Sequence, residues 1–428
     1  MKSPKDPQKT RNNLLFRLLG PGLVTGAADD DPSGIATYSQ AGAQFGFGLL
    51  WTLFLTTPFM IAIQLVSAQI GRVTGKGIVA NAKQVFPQPV LVALVALLVI
   101  ANTINIAADL AAMGEALSLV IGGLTHEHAL IFSAVSVLLQ VFVPYSRYAP
   151  ILKWLTLVLF LYVGVAFSVS IPWREALTAT VWPQISLDRN YLLMVVAVLG
   201  TTISPYLFFW QASQEVEDMR RHKHPRLPLK ALTRGGEWEL DRIALDTTVG
   251  MIFSNLISYF IILTTAATLH TSGVTNIDTA ADAAQALRPI AGDLTFALFA
   301  LGIIGTGLLA VPVLAGSAAY GVAEAFGWTA TLEAKPREAV GFYSIIAVAT
   351  VIGFALGFSP INPIQMLIWT AVINGIVAVP IMAVMMVLAI NDKVMGRFRI
   401  RVGLVWGGWA ATGLMGAAVA AMLWSLFW

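Results

Sequence analysis

Apolar runs of spanning or near-spanning length recur along the chain, separated by short polar segments. In order they are Leu14 to Phe47, Leu49 to Ile70, Val90 to Ile121, Ala129 to Val143, Ile151 to Ile171 and Tyr191 to Gln214. Ala244 to Leu269, Leu294 to Phe326, Ala339 to Phe358, Ile364 to Ile390 and Gly403 to Trp428 follow, making eleven. The pattern predicts an all-α integral membrane protein of about eleven transmembrane helices. Two of the runs are interrupted. The first carries Asp29-Asp30-Asp31-Pro32-Ser33-Gly34 at its middle, and the sixth carries Gly200-Thr201-Thr202-Ile203-Ser204-Pro205-Tyr206.

The first interruption is chemically the stronger. Carboxylates at membrane depth are costly and persist where they face a cavity or a partner. Pro32 removes a backbone donor and Gly34 relaxes the turn, so a regular helix cannot run through them. Backbone freed inside a bilayer is tolerated where protein or a water-filled cavity receives it. An acid beside such a break points to a cation site. The alternative, an exposed loop between two segments, is disfavoured because each half is too short to span by itself.

At the second interruption Pro205 follows several hydroxyls, again freeing carbonyls toward a ligand. A lone proline is usually only a kink. Two breaks, in the first and sixth of ten core spans, occupy corresponding positions of two five-helix repeats of inverted topology. That is the sequence pointer to a transporter's midplane site. The third span adds Asn102, Asn105 and Asp109, spaced to share one face. This stripe fits an aqueous path or a polar contact between helices. Asn255 and Asn374 are single polar residues of the kind that bond across helices. Gln211, Gln214, Glu215, Glu217 and Asp218 read as a solvated helix end.

Composition agrees with this reading. Of 428 residues, 57% are hydrophobic and 11% charged, against about 25% charged in soluble domains. Cysteine is absent, which excludes disulfides and thiolate metal ligation. Met1 to Arg11 is polar and basic, without the apolar stretch of a signal peptide. Basic residues gather in alternate loops: Lys2, Lys5, Lys9 and Arg11; Arg72, Lys76 and Lys83; Arg147 and Lys153; Arg220 to Arg242; Lys335 and Arg337; Lys393 to Arg401. This alternation predicts a cytoplasmic N-terminus and an extracytoplasmic C-terminus in the cell membrane. The His-rich run from Arg220 to Arg226 reads as an orientation signal rather than a metal-binding or lipid-binding patch. The expected organisation is a tail over 1–13, repeats over 14–171 and 191–390 with a basic loop at 219–241, and an additional helix over 403–428.

Several segments resemble the Nramp family of divalent-metal transporters. Gly20-Pro21-Gly22, Asp31-Pro32, Ala36-Thr37 and Gln40-Ala41-Gly42-Ala43 are similar to its first helix, Ala108-Asp109-Leu110-Ala111 to its third, and Leu298-Phe299-Ala300-Leu301-Gly302 to its eighth. The resemblance implies a leucine-transporter-type 5+5 inverted repeat, with metal held between unwound helices 1 and 6. The departures are informative. The family's first-helix Asp is Asp31, but its Asn is Gly34. In the sixth-helix motif the Ala that binds through its carbonyl is Thr201, the Met ligand is Ser204 and the His is Tyr206. A third-helix Glu used in proton transfer falls at Ala112, and a second sixth-helix His at Gln211. Asn374 lies near, but out of register with, the tenth-helix Gln.

The resemblance therefore implies a metal site at Asp31, Thr201, Ser204, the Gly34 backbone, Thr202 and Asp30, with Asp29 as an attracting charge. A polar pathway of Asp109, Asn105, Tyr206 and Asn374 accompanies it. Losing the soft sulfur leaves carboxylate, hydroxyl and carbonyl oxygens, a hard set suited to Mg²⁺ or Mn²⁺. The pattern resembles the Nramp-related magnesium transporters and implies import by alternating access with weak or no proton coupling. The alternative is a proton-coupled Mn²⁺/Fe²⁺ importer. A more remote one is an organic-substrate carrier of the same fold, which the three acids oppose. No enzyme motif is present. Expected partners are divalent ions and the lipid bilayer, with no cofactor, nucleic acid or obligate protein partner.

Overall fold

The structure, a computed structural model, describes residues 20–143, 147, 156–221, 226–232 and 235–427. The N-terminal tail, Lys153, and His222 to Pro225 of the basic run lie outside the described residues. Among the described residues, each predicted span contains helix. The first is split into α1 (Pro21–Asp29) and α2 (Pro32–Phe45). Then come α3 (Leu50–Thr74), α4 (Gln88–Ile121), α5 (Thr125–Phe142) and α6 (Phe160–Ser168). The sixth span is α7 (Arg189–Thr202) and α8 (Pro205–Arg221). It is followed by α9 (Glu237–Thr268), α10 (Thr295–Phe326), α11 (Val340–Leu356), α12 (Pro363–Ile390) and α13 (Val402–Ser425). Among the described residues, eight apolar stretches have full crossing length, and the helices of the fifth and ninth spans are shorter. One of the eight, Pro32–Thr74, joins the second half of the first span to the second span.

Both breaks follow one local rule. The residue before a proline is pushed out of the helical region, and Asp31 accordingly sits at φ −73, ψ 170. Pro32 and Pro205 each open the second half of their span, where a missing N–H costs nothing. Proline alone does not suffice. Pro58, Pro312 and Pro380 lie inside α3, α10 and α12, which run on as single helices.

Backbones approach closely where both broken spans meet their neighbours. A Cβ on Gly22 would lie 2.7 Å from the Thr247 amide, and one on Gly26 would collide with the Gly250 carbonyl, so α1 lies directly on α9. Gly200 of α7 meets Ala371 and Gly375 of α12 in the same way. Small residues at such crossings permit the tight packing that replaces hydrophobic drive inside a membrane. Asn255 donates to the Leu53 carbonyl at 2.8 Å, the cross-helix bond expected of it.

One end of the bundle is basic and ion-paired. Glu239 meets Arg72 at 3.1 Å and Arg226 at 2.8 Å, and Glu215 meets Arg242 at 3.2 Å. Thr25 of α1 donates to Gln211 at 2.5 Å, and Gln211 to Glu215 at 3.4 Å. The expectation of a solvated end for α8 is corrected here: Gln211, Gln214, Glu215 and Glu217 are all buried. Their partners come from α1, α9, α10 and the loop after α10, so the polar run is an internal seam. Glu217 accepts from Tyr320, Thr331 and the Leu332 amide at 2.8–3.0 Å.

Candidate cation site between the two broken spans

The two interruptions face each other in the interior. At a helix C-terminus the last carbonyls lack partners within the helix, and at an N-terminus the first amides do. Each break therefore supplies both kinds of group in dry surroundings. Asp31 caps α2, its Oδ1 accepting the Gly34 amide at 2.7 Å. Its Oδ2 accepts from Asn105 Nδ2 at 3.1 Å and from the Tyr206 hydroxyl at 3.3 Å. The Tyr206 hydroxyl is also 3.3 Å from the Ala28 carbonyl at the end of α1. Asp31, Asn105 and Tyr206, from three spans, thus converge on one carboxylate that is 2% exposed.

Gly34 lets side chains of both breaks close in beside that carboxylate. A Cβ there would lie 3.2 Å from Thr201 Oγ1, 3.3 Å from the Tyr38 ring and 3.4 Å from Asp31 Oδ1. Asp31 and Thr201 therefore flank the same small volume. The Gly34 amide is committed to Asp31, and its carbonyl belongs to the first turn of α2.

Ser204 donates to the Gly200 carbonyl at 3.0 Å and to the Thr201 carbonyl at 2.8 Å, leaving its oxygen lone pairs unused by that proton. Thr202 is turned away from Asp31. Its hydroxyl donates to Val198 O at 2.6 Å and meets the Tyr38 hydroxyl at 3.1 Å, clasping the two broken spans together. Asp30 and Asp29 also point elsewhere. Ser254 of α9 lies 2.8 Å from Asp29 Oδ2 and 3.1 Å from Asp30 Oδ1, and Ser258 lies 3.5 Å from Asp30. The side chain of Asp30 accordingly shares none of the hydrogen-bond partners recorded for Asp31.

The third-span stripe divides. Asn102 bonds across to α10, at Leu314 O (2.8 Å) and Ser317 (2.7 Å). Asn105 reaches Asp31. Asp109 is fully buried, and neither of its carboxylate oxygens has a hydrogen-bond partner. Asn374 is buried next to the Gly200–Gly375 crossing, its Oδ1 also without a partner. Sequence reasoning missed Tyr38, Ser254, Ser258 and Thr370. Thr370 Oγ1 lies 3.1 Å from Ser33 Oγ, tying α12 to the first break. Hydroxyl residues are common in membrane helices, so none stood out. The available signal for Tyr38 was its place one turn after Gly34.

Comparison with known proteins gives the arrangement a family. The sequence profile of the Nramp family, natural resistance-associated macrophage protein-like, matches residues 22–425. The chain is 27% identical over 311 residues to a divalent metal cation transporter, MntH, of Yersinia enterocolitica, covering 71% of each. It is 25% identical over 306 residues to MntH of Pectobacterium carotovorum, covering 70% of each. Its fold superposes on the crystal structure of the Eremococcus coleocola manganese transporter with a TM-score of 0.73 and 14% identity, covering 100% of this chain and 90% of that one. A nucleobase-cation-symport-1 transporter, Mhp1, superposes at 0.56 with 14% identity, covering 95% of this chain and 92% of that one. The architecture is the leucine-transporter-type inverted repeat, its first and sixth spans unwound. The chain belongs to the Nramp family, a family of membrane transporters of divalent metal and not of enzymes.

Proposed function

We propose that this protein imports divalent cations, Mg²⁺ or Mn²⁺, across the cell membrane by alternating access with weak or no proton coupling. The observation that carries the reading is the convergence of Asp31 Oδ1 and Thr201 Oγ1 on one point beside Gly34. Both are oxygens, joined by the Thr201 carbonyl and the Ser204 hydroxyl one turn away. Such a hard donor set suits Mg²⁺ and Mn²⁺.

The glycine-lined crossing of α1 on α9 and the ion-paired basic end seal one side of this site. Alternating access requires that seal to open and the opposite one to close. The basic end is assigned to the cytoplasm on the positive-inside rule. Energetically, a divalent ion entering down 100 mV gains about 4.6 kcal/mol, enough for roughly a thousandfold accumulation without a second ion.

A second reading, proton-coupled Mn²⁺ or Fe²⁺ import, rests on Asp109, a buried carboxylate with no hydrogen-bond partner on the helix that also supplies Asn105. Uptake into proteoliposomes of Mg²⁺, Mn²⁺ and Ca²⁺, with a pH dye inside, separates the two. Mg²⁺ or Mn²⁺ entry without internal acidification is expected. Metal-dependent acidification overturns the uncoupled reading, and failure to take up any of the three ions overturns the site.

A further inference from the structure

A second site lies at the basic end, apart from the two breaks. A cavity of about 440 Å³ opens between the C-terminal ends of α3 and α10 and the last turns of α8. Lys76, Lys83 and Arg220 line it. At this end Arg72, Arg226 and Arg242 each meet a carboxylate within 3.2 Å. The three cavity cations form no ion pair among the described residues; the Arg220 guanidinium lies 3.5 Å from the Ala330 carbonyl, and its charge also acts on Glu324.

The one carboxylate in the lining is Glu324, and it is engaged by backbone. It accepts the Ala80 amide at 3.0 Å and lies hard against Gly77, where no side chain would fit. The remaining polar wall is Ser213 and Tyr320. Trp328 forms the rim, 46% exposed and stacked on Phe326 at 5.0 Å.

We propose that this cavity binds a phosphate-bearing ligand. Two ammonium groups and a guanidinium around one concavity form the arrangement that recognises phosphate oxygens. The volume is in the range of small-molecule sites and exceeds what a bare phosphate fills. The ligand therefore carries an organic portion, which Trp328 and the adjoining apolar wall receive. Both a phospholipid headgroup and a soluble nucleotide present this chemistry. Bound there, the ligand joins α3, α8 and α10, the second, sixth and eighth spans, and so bears on the half-helix α8 that ends in the transport site.

The test uses the full chain in nanodiscs of phosphatidylcholine, with calorimetric titration of ADP and, separately, of short-chain phosphatidylglycerol. One of the two is expected to saturate with one molecule per chain. ADP alone assigns a soluble ligand, and phosphatidylglycerol alone assigns a lipid. The combined variant Lys76→Gln, Lys83→Gln, Arg220→Gln is expected to weaken binding about tenfold or more. Lys76→Gln alone changes one exposed side chain, leaves the packing intact and is expected to weaken binding about threefold. Lys393→Gln, outside the cavity, and Asp31→Ala, in the transport site, are expected to leave binding unchanged. The proposal is overturned if neither ligand saturates at millimolar concentration, if the combined variant binds as tightly as the unaltered chain, or if Lys393→Gln weakens binding equally.

Discussion

The Gly22 amide donates to the Asp246 carboxylate at 2.7 Å, so the first half of the first span begins on a side chain of α9. Gly20 and Leu23 donate to the same carboxylate at 2.9 and 3.2 Å. An acid on the first amides of a helix satisfies orphan donors and opposes the dipole, a contribution of about 1 kcal/mol. Asp246→Ala is expected to loosen α1 from α9. The chain has no cysteine, so a single introduced Ala28→Cys reports on this without background. Its labelling from the basic end is expected to rise several-fold in the Asp246→Ala variant. Unchanged labelling would show that Asp246 does not hold α1 closed.

Asp31→Ala removes the carboxylate on which Asn105 and Tyr206 converge. Loss of a charged partner costs about 1.5–3 kcal/mol, or roughly ten- to a hundredfold in ion binding. Uptake is expected to fall to background while the protein remains monodisperse and inserted. Near-normal transport would move the site elsewhere.

Gly34→Asn places an amide side chain between Asp31 and Thr201, where even a Cβ is tightly contacted. An additional amide ligand and less room are expected to favour Mn²⁺ and disfavour a hydrated Mg²⁺. Competition of Mg²⁺ against radioactive Mn²⁺ uptake reads the shift directly. An unaltered ratio would mean that the ion does not pass beside position 34.

Ser204→Met introduces sulfur beside the Thr201 carbonyl. Softer ligation is expected to raise Cd²⁺ and Mn²⁺ uptake relative to Mg²⁺. The same substitution removes the hydroxyl that donates to Gly200 O and Thr201 O, so Ser204→Ala serves as the control. A selectivity change shared by both variants would assign the effect to the lost hydrogen bond.

Asp109→Asn tests coupling. In an uncoupled transporter it is expected to leave the ratio of protons to metal ions at zero while changing the uptake rate modestly. Metal-dependent acidification that disappears in this variant would make Asp109 the proton carrier.

The span pattern was legible because membrane helices announce themselves by length, and the breaks because Asp31-Pro32 and Ser204-Pro205 contradict the apolar runs around them. Which of the three acids faces the second break was harder to read. Resemblance singled out Asp31, and the geometry that sends Asp29 and Asp30 to Ser254 arises from a helix more than 200 positions along the chain. The polar end of α8 was misread for a related reason. Glu215 resembles a solvated charge until Arg242, carried back by α9, is seen 3.2 Å away. Local sequence reports a residue's cost of burial, and only the fold supplies the partner that offsets it.

As the proposed cation ligand, Asp31 has two tasks that oppose each other. As the cap of α2 it sits on the positive end of a helix dipole, worth roughly half an elementary charge. A cation arriving at its carboxylate meets that field head-on and competes with the Gly34 amide for Oδ1. On the proposed reading, that competition makes the well shallow and the dwell time short. Conduction through a narrow path rewards such weakness, because an ion that binds too well does not leave.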